Sequence, residues 1–180
     1  QTAAAFGGLN LIEFNKQQTF QVQEMTISEE RLISLQDNLL LCFTGFSRTA
    51  EKVAKSQIDS TPDKEKELNL MLEILNEAKA TIIDAKVSID EFGKLLNEQW
   101  LVKKSLTEYI SNKDIDEIYE AGIKAGAIGG KLLGAGGGGF MLFYAKQENH
   151  NKIREILKDK LFVPFRFEKT GSQIIYFSHD

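Results

Sequence analysis

Apolar and polar positions along the chain switch between a period of two and a period near 3.6, and the switches mark its elements. Leu9 to Phe14 and Phe20 to Met25 read as short strands on either side of the polar turn Asn15-Lys16-Gln17-Gln18, which predicts a hairpin. Ser28 to Leu32 opens a short helix, and the unbroken apolar run Leu39 to Phe43 suits a buried strand. Thr44 to Arg48 then turns the chain into a helix over Thr49 to Gln57. Thr61-Pro62-Asp63 predicts a helix start, with Thr61 as cap and Pro62 in the first helical position. Leu68, Met71, Leu72, Leu75, Ala78 and Ile82 follow at helical spacing and predict its buried face. Ser88 to Glu91 reads as a capping box, in which the Glu91 carboxylate returns to the Ser88 backbone. It opens a second long helix carrying Phe92, Leu95, Leu96, Trp100 and, further on, Leu106, and a third runs from Asp114 to about Ala125. After residue 139 the period changes again. Phe140 to Ala145 reads as a strand, and Ile153, Ile156, Leu157 and Leu161 mark a short helix. Val163, Phe165 and Phe167 alternate with polar neighbours as a strand, and Ile174 to Phe177 reads as another after a turn at Gly171. The sum is an α+β fold, with helices packed on a small, mostly antiparallel sheet.

Between the third helix and the strand from Phe140 lies Gly129-Gly130-Lys131-Leu132-Leu133-Gly134-Ala135-Gly136-Gly137-Gly138-Gly139. Four consecutive glycines are costly to order. They are tolerated where backbone must reach positive φ or come very close to another group, and phosphate is a common such group. Gly134, Gly136 and Gly139 formally match G-x-G-x-x-G, but a dinucleotide fingerprint opens a helix and this one opens a strand. It is not a Walker A loop either, since no Ser or Thr follows Lys131. The pattern leaves two readings open, a plain glycine-rich hairpin and a phosphate loop.

Composition narrows the class. The chain has 180 residues, 42% of them hydrophobic and 27% charged, which fits a globular domain with a real core. A net charge of −4 argues against nucleic acid as a partner of the chain as a whole. No apolar run has the length of a membrane span. Cys42 is the single cysteine and sits inside an apolar run. It reads as a buried small hydrophobe, and without a second cysteine there is no internal disulfide, which points to a reducing cytoplasm.

Other candidate groups have bland readings beside the functional ones. His150 reads as part of a polar loop and His179 stands next to the C-terminus, with no Cys or His cluster to hold zinc. Trp100 reads as core, and Lys103 and Lys104 beyond it as solvated. Arg48 follows the Thr44-Gly45 turn and could meet a phosphate or stand on the surface. Gly7-Gly8 permits either close backbone approach or a plain tight turn.

The segment Gly129 to Phe140 resembles the third motif of the GHMP small-molecule kinases. The resemblance extends over nearly the whole chain, through Ala3 to Gly8, Leu41 to Arg48, Gln99 to Lys104 and Gly171 to Ile174. These segments look like the sugar-kinase branch, most of all the heptose 7-phosphate kinases, with L-fucokinases as near relatives. The resemblance implies a ferredoxin-like sheet in a C-terminal domain over residues 26–180, with residues 1–25 left from a preceding domain.

It also implies an activity for the intact protein: transfer of the γ-phosphoryl group of ATP, with Mg²⁺, to the anomeric hydroxyl of a sugar phosphate. Gly134, Ala135, Gly136, Gly137, Gly138 and Gly139 would support the ATP phosphates, and Gly7, Gly8, Thr44 and Arg48 would lie at the substrate. A Gly137→Val exchange is expected to depress turnover far more than stability. The family's main phosphate loop, Pro-x-x-x-Gly-Leu-Gly-Ser-Ser-Ala, is absent here, and the catalytic Asp is expected directly before Gln1. The chain opens at Gln1 straight into Thr2-Ala3-Ala4-Ala5, as expected for the middle of a longer polypeptide, and alone it is expected to be inactive. An apolar face left uncovered by the other half would favour self-association, so a homodimer is an expectation as well. The alternative from another class is a non-catalytic α+β module that binds a ligand or partner.

Overall fold

The computed structural model describes residues 1–46 and 50–177. The chain divides into two compact units, Gln1–Ser28 with Phe165–Asp180 and Glu29–Pro164.

The smaller unit holds a short helix, α1 (Thr2–Phe6), and a hairpin of β1 (Asn10–Phe14) and β2 (Phe20–Glu24). The strands pair antiparallel, from Asn10 opposite Glu24 to Phe14 opposite Phe20. The polar turn works as its composition suggests. The Asn15 side-chain oxygen accepts from the amides of Gln17 and Thr19, each at 3.1 Å, and so folds the backbone over itself. The strands expected over 163–167 and 174–177 do not form: residues 164–177 carry no regular structure. Pro164 has no amide to continue a ladder. Ile174 to Phe177 belong to no strand, and Ile175 is 95% exposed.

The larger unit is built on four strands, β3 (Leu39–Phe43), β4 (Gly129–Leu132), β5 (Phe140–Tyr144) and β6 (Leu161–Val163). Their spatial order is β4-β5-β3-β6, with every neighbour antiparallel. One helical connection runs from β3 to β4 and another from β5 to β6, so the expected ferredoxin-like arrangement is present. Helices α2 (Glu29–Asp37), α3 (Ala50–Ser60), α4 (Glu65–Ile83), α5 (Asp90–Lys104), α6 (Lys113–Lys124) and α7 (Gln147–Ile156) complete the unit. Leu40, Cys42, Met141 and Phe143 point from the sheet into a core shared with Trp100, Ile110, Ile115 and Ile153. Helix α5 lies directly on β4. A Cβ on Gly129 would sit 1.9 Å from the Gly93 carbonyl oxygen, so the helix and strand backbones meet where neither residue carries a side chain.

Three local expectations are corrected. Thr61 does not cap α4. Thr61–Asp63 forms a 3-10 turn, and the Thr61 hydroxyl donates back to the Gln57 carbonyl at 2.8 Å, closing α3 instead. The buried face of α4 carries Ile74, Thr81 and Ile82, whereas Leu68, Leu72 and Leu75 are exposed. The capping box at Ser88 is half made. The Ser88 hydroxyl accepts from the Asp90 amide, but the Glu91 carboxylate goes to Lys94 at 2.7 Å. A nearby ammonium offers a charge-assisted bond that the backbone amide cannot match.

Candidate functional site

The glycine run forms the turn of the β4–β5 hairpin, and its backbone requires glycine. Gly134, Gly136, Gly137, Gly138 and Gly139 all have φ between 75° and 154°. Two of them also lie against other backbone. A Cβ on Gly136 would fall 2.8 Å from the Ile110 Cα, and one on Gly138 would fall 2.7 Å from the Phe46 carbonyl oxygen.

Alternate amides hold the loop down. The Gly137 amide donates to the Ile110 carbonyl and the Gly139 amide to the Phe46 carbonyl, both at 2.9 Å. The Gly139 carbonyl in turn accepts from the Thr44 amide at 2.9 Å and from the Thr44 hydroxyl at 2.8 Å. Thr44 is fully buried, so its hydroxyl supports the loop from beneath. Lys160 donates to the Thr44 carbonyl at 3.3 Å. The amides of Gly134, Ala135, Gly136 and Gly138 have no acceptor among the described residues. One anchored loop thus carries four backbone donors without an acceptor among the described residues, groups of the kind that can meet anionic oxygens.

Lys103, expected to be solvated, instead reaches this loop. Its ammonium donates to the Gly134 carbonyl at 2.6 Å. The close α5–β4 packing brings the end of the helix there. Lys103 also lines a largely apolar cavity of about 400 Å³ with Ile58, Leu68, Met71 and Leu106. Burial pushes the Lys103 ammonium down to about 8, and the like charge of Lys131 adds to the fall. Lys131, on β4, is likewise lowered by burial. Neither lysine has a carboxylate within ion-pair distance among the described residues. Lys104 differs. It pairs with Asp116 at 2.9 Å and lies over the rings of Trp100 and Tyr119.

The remaining predicted site residues fall elsewhere or nowhere described. In the smaller unit, Gly7 closes α1 with φ 66°, and Gly8 follows with φ 72°, its amide donating to the Glu168 carbonyl at 2.9 Å. A Cβ on Gly7 would sit 2.3 Å from the Gly171 amide nitrogen, so Gly7 serves a close approach of the chain to itself, whereas a Cβ on Gly8 would come no nearer than 3.7 Å to another atom. Arg48 and His179 lie outside the described residues. His150 stands on α7, not in a loop, with Nε2 2.9 Å from the Ala145 carbonyl. Cys42 is fully buried, and burial pushes its thiol up to about 11, which leaves it unreactive. No three Asp, Glu, His or Cys side chains among the described residues gather as metal ligands. None of the described helices is long and apolar enough to cross a membrane.

Residues 83–162, which contain α5, α6 and the whole glycine hairpin, match the family described as GHMP kinases C terminal. The chain carries a GHMP kinase C-terminal domain. It is 32% identical over 174 residues to the D-glycero-alpha-D-manno-heptose 7-phosphate kinase of Campylobacter jejuni, covering 95% of this chain and 51% of that protein. It is 30% identical over 142 residues to the bifunctional fucokinase/GDP-fucose pyrophosphorylase of Arabidopsis thaliana, covering 77% of this chain and 13% of that protein. The mevalonate kinase of L. major, solved with R-mevalonate, superposes with a TM-score of 0.70 at 19% identity, over 96% of this chain and 52% of that one. That likeness shows the shared fold. The chain thus spans about half the length of the heptose kinase. Within this GHMP kinase domain, the glycine loop was visible in the sequence and Lys103 was not. Its one available signal was its place three residues after the buried Trp100, on the last turn of a helix packed against β4.

Proposed function

We propose that this chain is the C-terminal portion of an ATP-dependent sugar kinase that phosphorylates the anomeric hydroxyl of a heptose 7-phosphate. The observation that carries the reaction class is the anchored glycine loop with four unclaimed amides. Phosphoryl transfer depends on positioning and on neutralising charge on non-bridging oxygens, and rigid backbone donors supply both without reorganising. The choice of sugar rests on similarity to the Campylobacter jejuni enzyme across most of the chain.

In this reading the main phosphate loop and the catalytic Asp lie N-terminal to Gln1 in the whole protein, and residues 1–25 belong with that preceding domain. Arg48, Gly7 and Gly8 would meet the acceptor, while Thr44 acts through the loop it holds. The described residues offer no cluster of acidic ligands that would fit Mg²⁺, so no step through the metal is assigned to them. The product would feed nucleotide-heptose synthesis for surface polysaccharide in the cytoplasm. L-fucose is the second reading, favoured by the similarity to a fucokinase.

The test is ATP-dependent ADP release by the full-length protein over a panel of sugars and sugar phosphates. Heptose 7-phosphate should give the highest kcat/KM. A preference for L-fucose would move the assignment to the second reading. Absence of turnover with every sugar would overturn the kinase and favour a ligand-binding module.

A further inference from the structure

We propose that Lys103 and Lys131 form the cationic half of a phosphate-binding site whose other half is the row of free amides on Gly134, Ala135, Gly136 and Gly138. This deepens the kinase reading, on which it rests for the identity of the ligand.

The geometry makes the case. Lys103 is held at the loop by its 2.6 Å bond to the Gly134 carbonyl, and Lys131 leads into the same loop from β4. Two lysines that feel each other's charge, with no carboxylate within ion-pair distance among the described residues, repel each other, and here each is also partly withdrawn from water. A protein leaves such a pair in place at a cost in stability. Bringing a phosphate dianion between them reverses the sign of the interaction: each ammonium gains an opposite charge, and each free amide gains an acceptor. The lysine ammonium acts as a point charge, which suits a group whose three oxygens can rotate. Lys104, one residue further, has already paired with Asp116 and is not part of the site.

The ligand is a phosphate group, from either a nucleotide triphosphate tail or a sugar phosphate. Titration of the full-length protein with inorganic tripolyphosphate and, separately, with mannose 6-phosphate distinguishes the two. Amide shifts of Gly134, Ala135, Gly136 and Gly138, together with calorimetry, report binding. Tighter binding of tripolyphosphate assigns the site to the nucleotide, and tighter binding of mannose 6-phosphate assigns it to the acceptor. In either case Lys103→Met should weaken binding at least about ten-fold, and Lys103→Arg should restore most of it. Lys131→Met should act in the same direction. Lys113→Met, which removes an exposed lysine of α6, should leave binding unchanged. Equal binding by wild type and Lys103→Met, or no shift of the four amides with either ligand, would overturn the site. A kinase assay that fails while tripolyphosphate still shifts these amides would overturn the proposed reaction and leave the site standing.

Discussion

The Thr44 hydroxyl and the Gly139 carbonyl are joined by a 2.8 Å hydrogen bond, and the Thr44 amide donates to the same oxygen at 2.9 Å. One residue at the end of β3 thereby clamps the last glycine of the loop, and it does so fully buried. A hydroxyl has one proton. The further 3.2 Å contact to the Phe46 carbonyl is therefore a weaker share of the same donor. Thr44→Val keeps the shape and removes that donor, while the amide bond remains. The expected loss is about 1–2 kcal/mol, read as a lower urea midpoint at unchanged slope. Thr44→Ser should lose less than Thr44→Val, because the donor stays.

Glycines in the loop should differ sharply in what they tolerate. Gly134 has φ 75° but nothing within 4 Å of a Cβ, so Gly134→Ala carries the left-handed penalty alone, about 1 kcal/mol. Gly138 has φ 154° and a Cβ position 2.7 Å from the Phe46 carbonyl oxygen. Gly138→Ala must move backbone and should cost roughly 2–3 kcal/mol or more. Gly137 is buried with φ 77° and its amide bonded to Ile110, so Gly137→Val damages the fold as well as the site. Gly134→Ala is the cleaner probe of function. Thermal midpoints of the three variants should rank Gly134→Ala above the other two.

How much of this was legible in the sequence follows from which interactions are local. The β1–β2 hairpin, the β3 run and the glycine turn are written in residues adjacent along the chain, and each formed within a residue or so of its expected place. The misjudged positions needed information from elsewhere. Leu68, Leu72 and Leu75 share a helical stripe with Ile82, yet only Ile82 of these four is buried, and Ile74, outside the stripe, turns inward where α4 docks on α5. The last apolar run, Ile174 to Phe177, has strand-forming side chains yet forms no strand. Lys103 looked like any lysine near a helix end. Its position on the loop depends on Gly93 and Gly129 meeting, a contact between residues 36 apart that no local pattern announces.

Arg31 gives a prediction about the fold alone. From α2 it donates to the Ile82 carbonyl at 2.7 Å, the Val87 carbonyl at 2.9 Å and the Thr81 carbonyl. The last turn of α4 leaves carbonyls without intrahelical partners and carries a partial negative charge. A guanidinium on two of these oxygens, Thr81 and Ile82, satisfies both needs, and its fork also reaches the Val87 carbonyl in the loop that follows. Arg31→Ala should cost roughly 2–3 kcal/mol. Arg31→Lys should recover less than half, since one ammonium cannot span the three acceptors. Chemical denaturation followed by circular dichroism checks both, and an exposed control such as Lys113→Ala should stay within about 0.5 kcal/mol of wild type.

Lys103 should trade stability for binding, with a signature in pH. Burial, then the charge of Lys131, lowers its ammonium from 10.5 to about 8. Below pH 8 the folded protein carries this cation at a desolvation cost that the unfolded chain does not bear. Between about 8 and 10.5 the folded state has lost the proton and the unfolded state keeps it, so stability rises with pH across that window. Lys103→Met removes the titration and also the bond to Gly134, a loss of about 1 kcal/mol that does not depend on pH in the variant. The stability difference between variant and wild type should therefore favour the variant most at pH 7 and move steadily toward wild type up to pH 10.5. Urea midpoints at pH 7, 8.5 and 10 measure it. A difference that stays flat over this range would mean that Lys103 is hydrated like a surface lysine. Repeating the series with tripolyphosphate present should erase the variant's advantage at pH 7, because bound anion then stabilises the charged form that burial opposes.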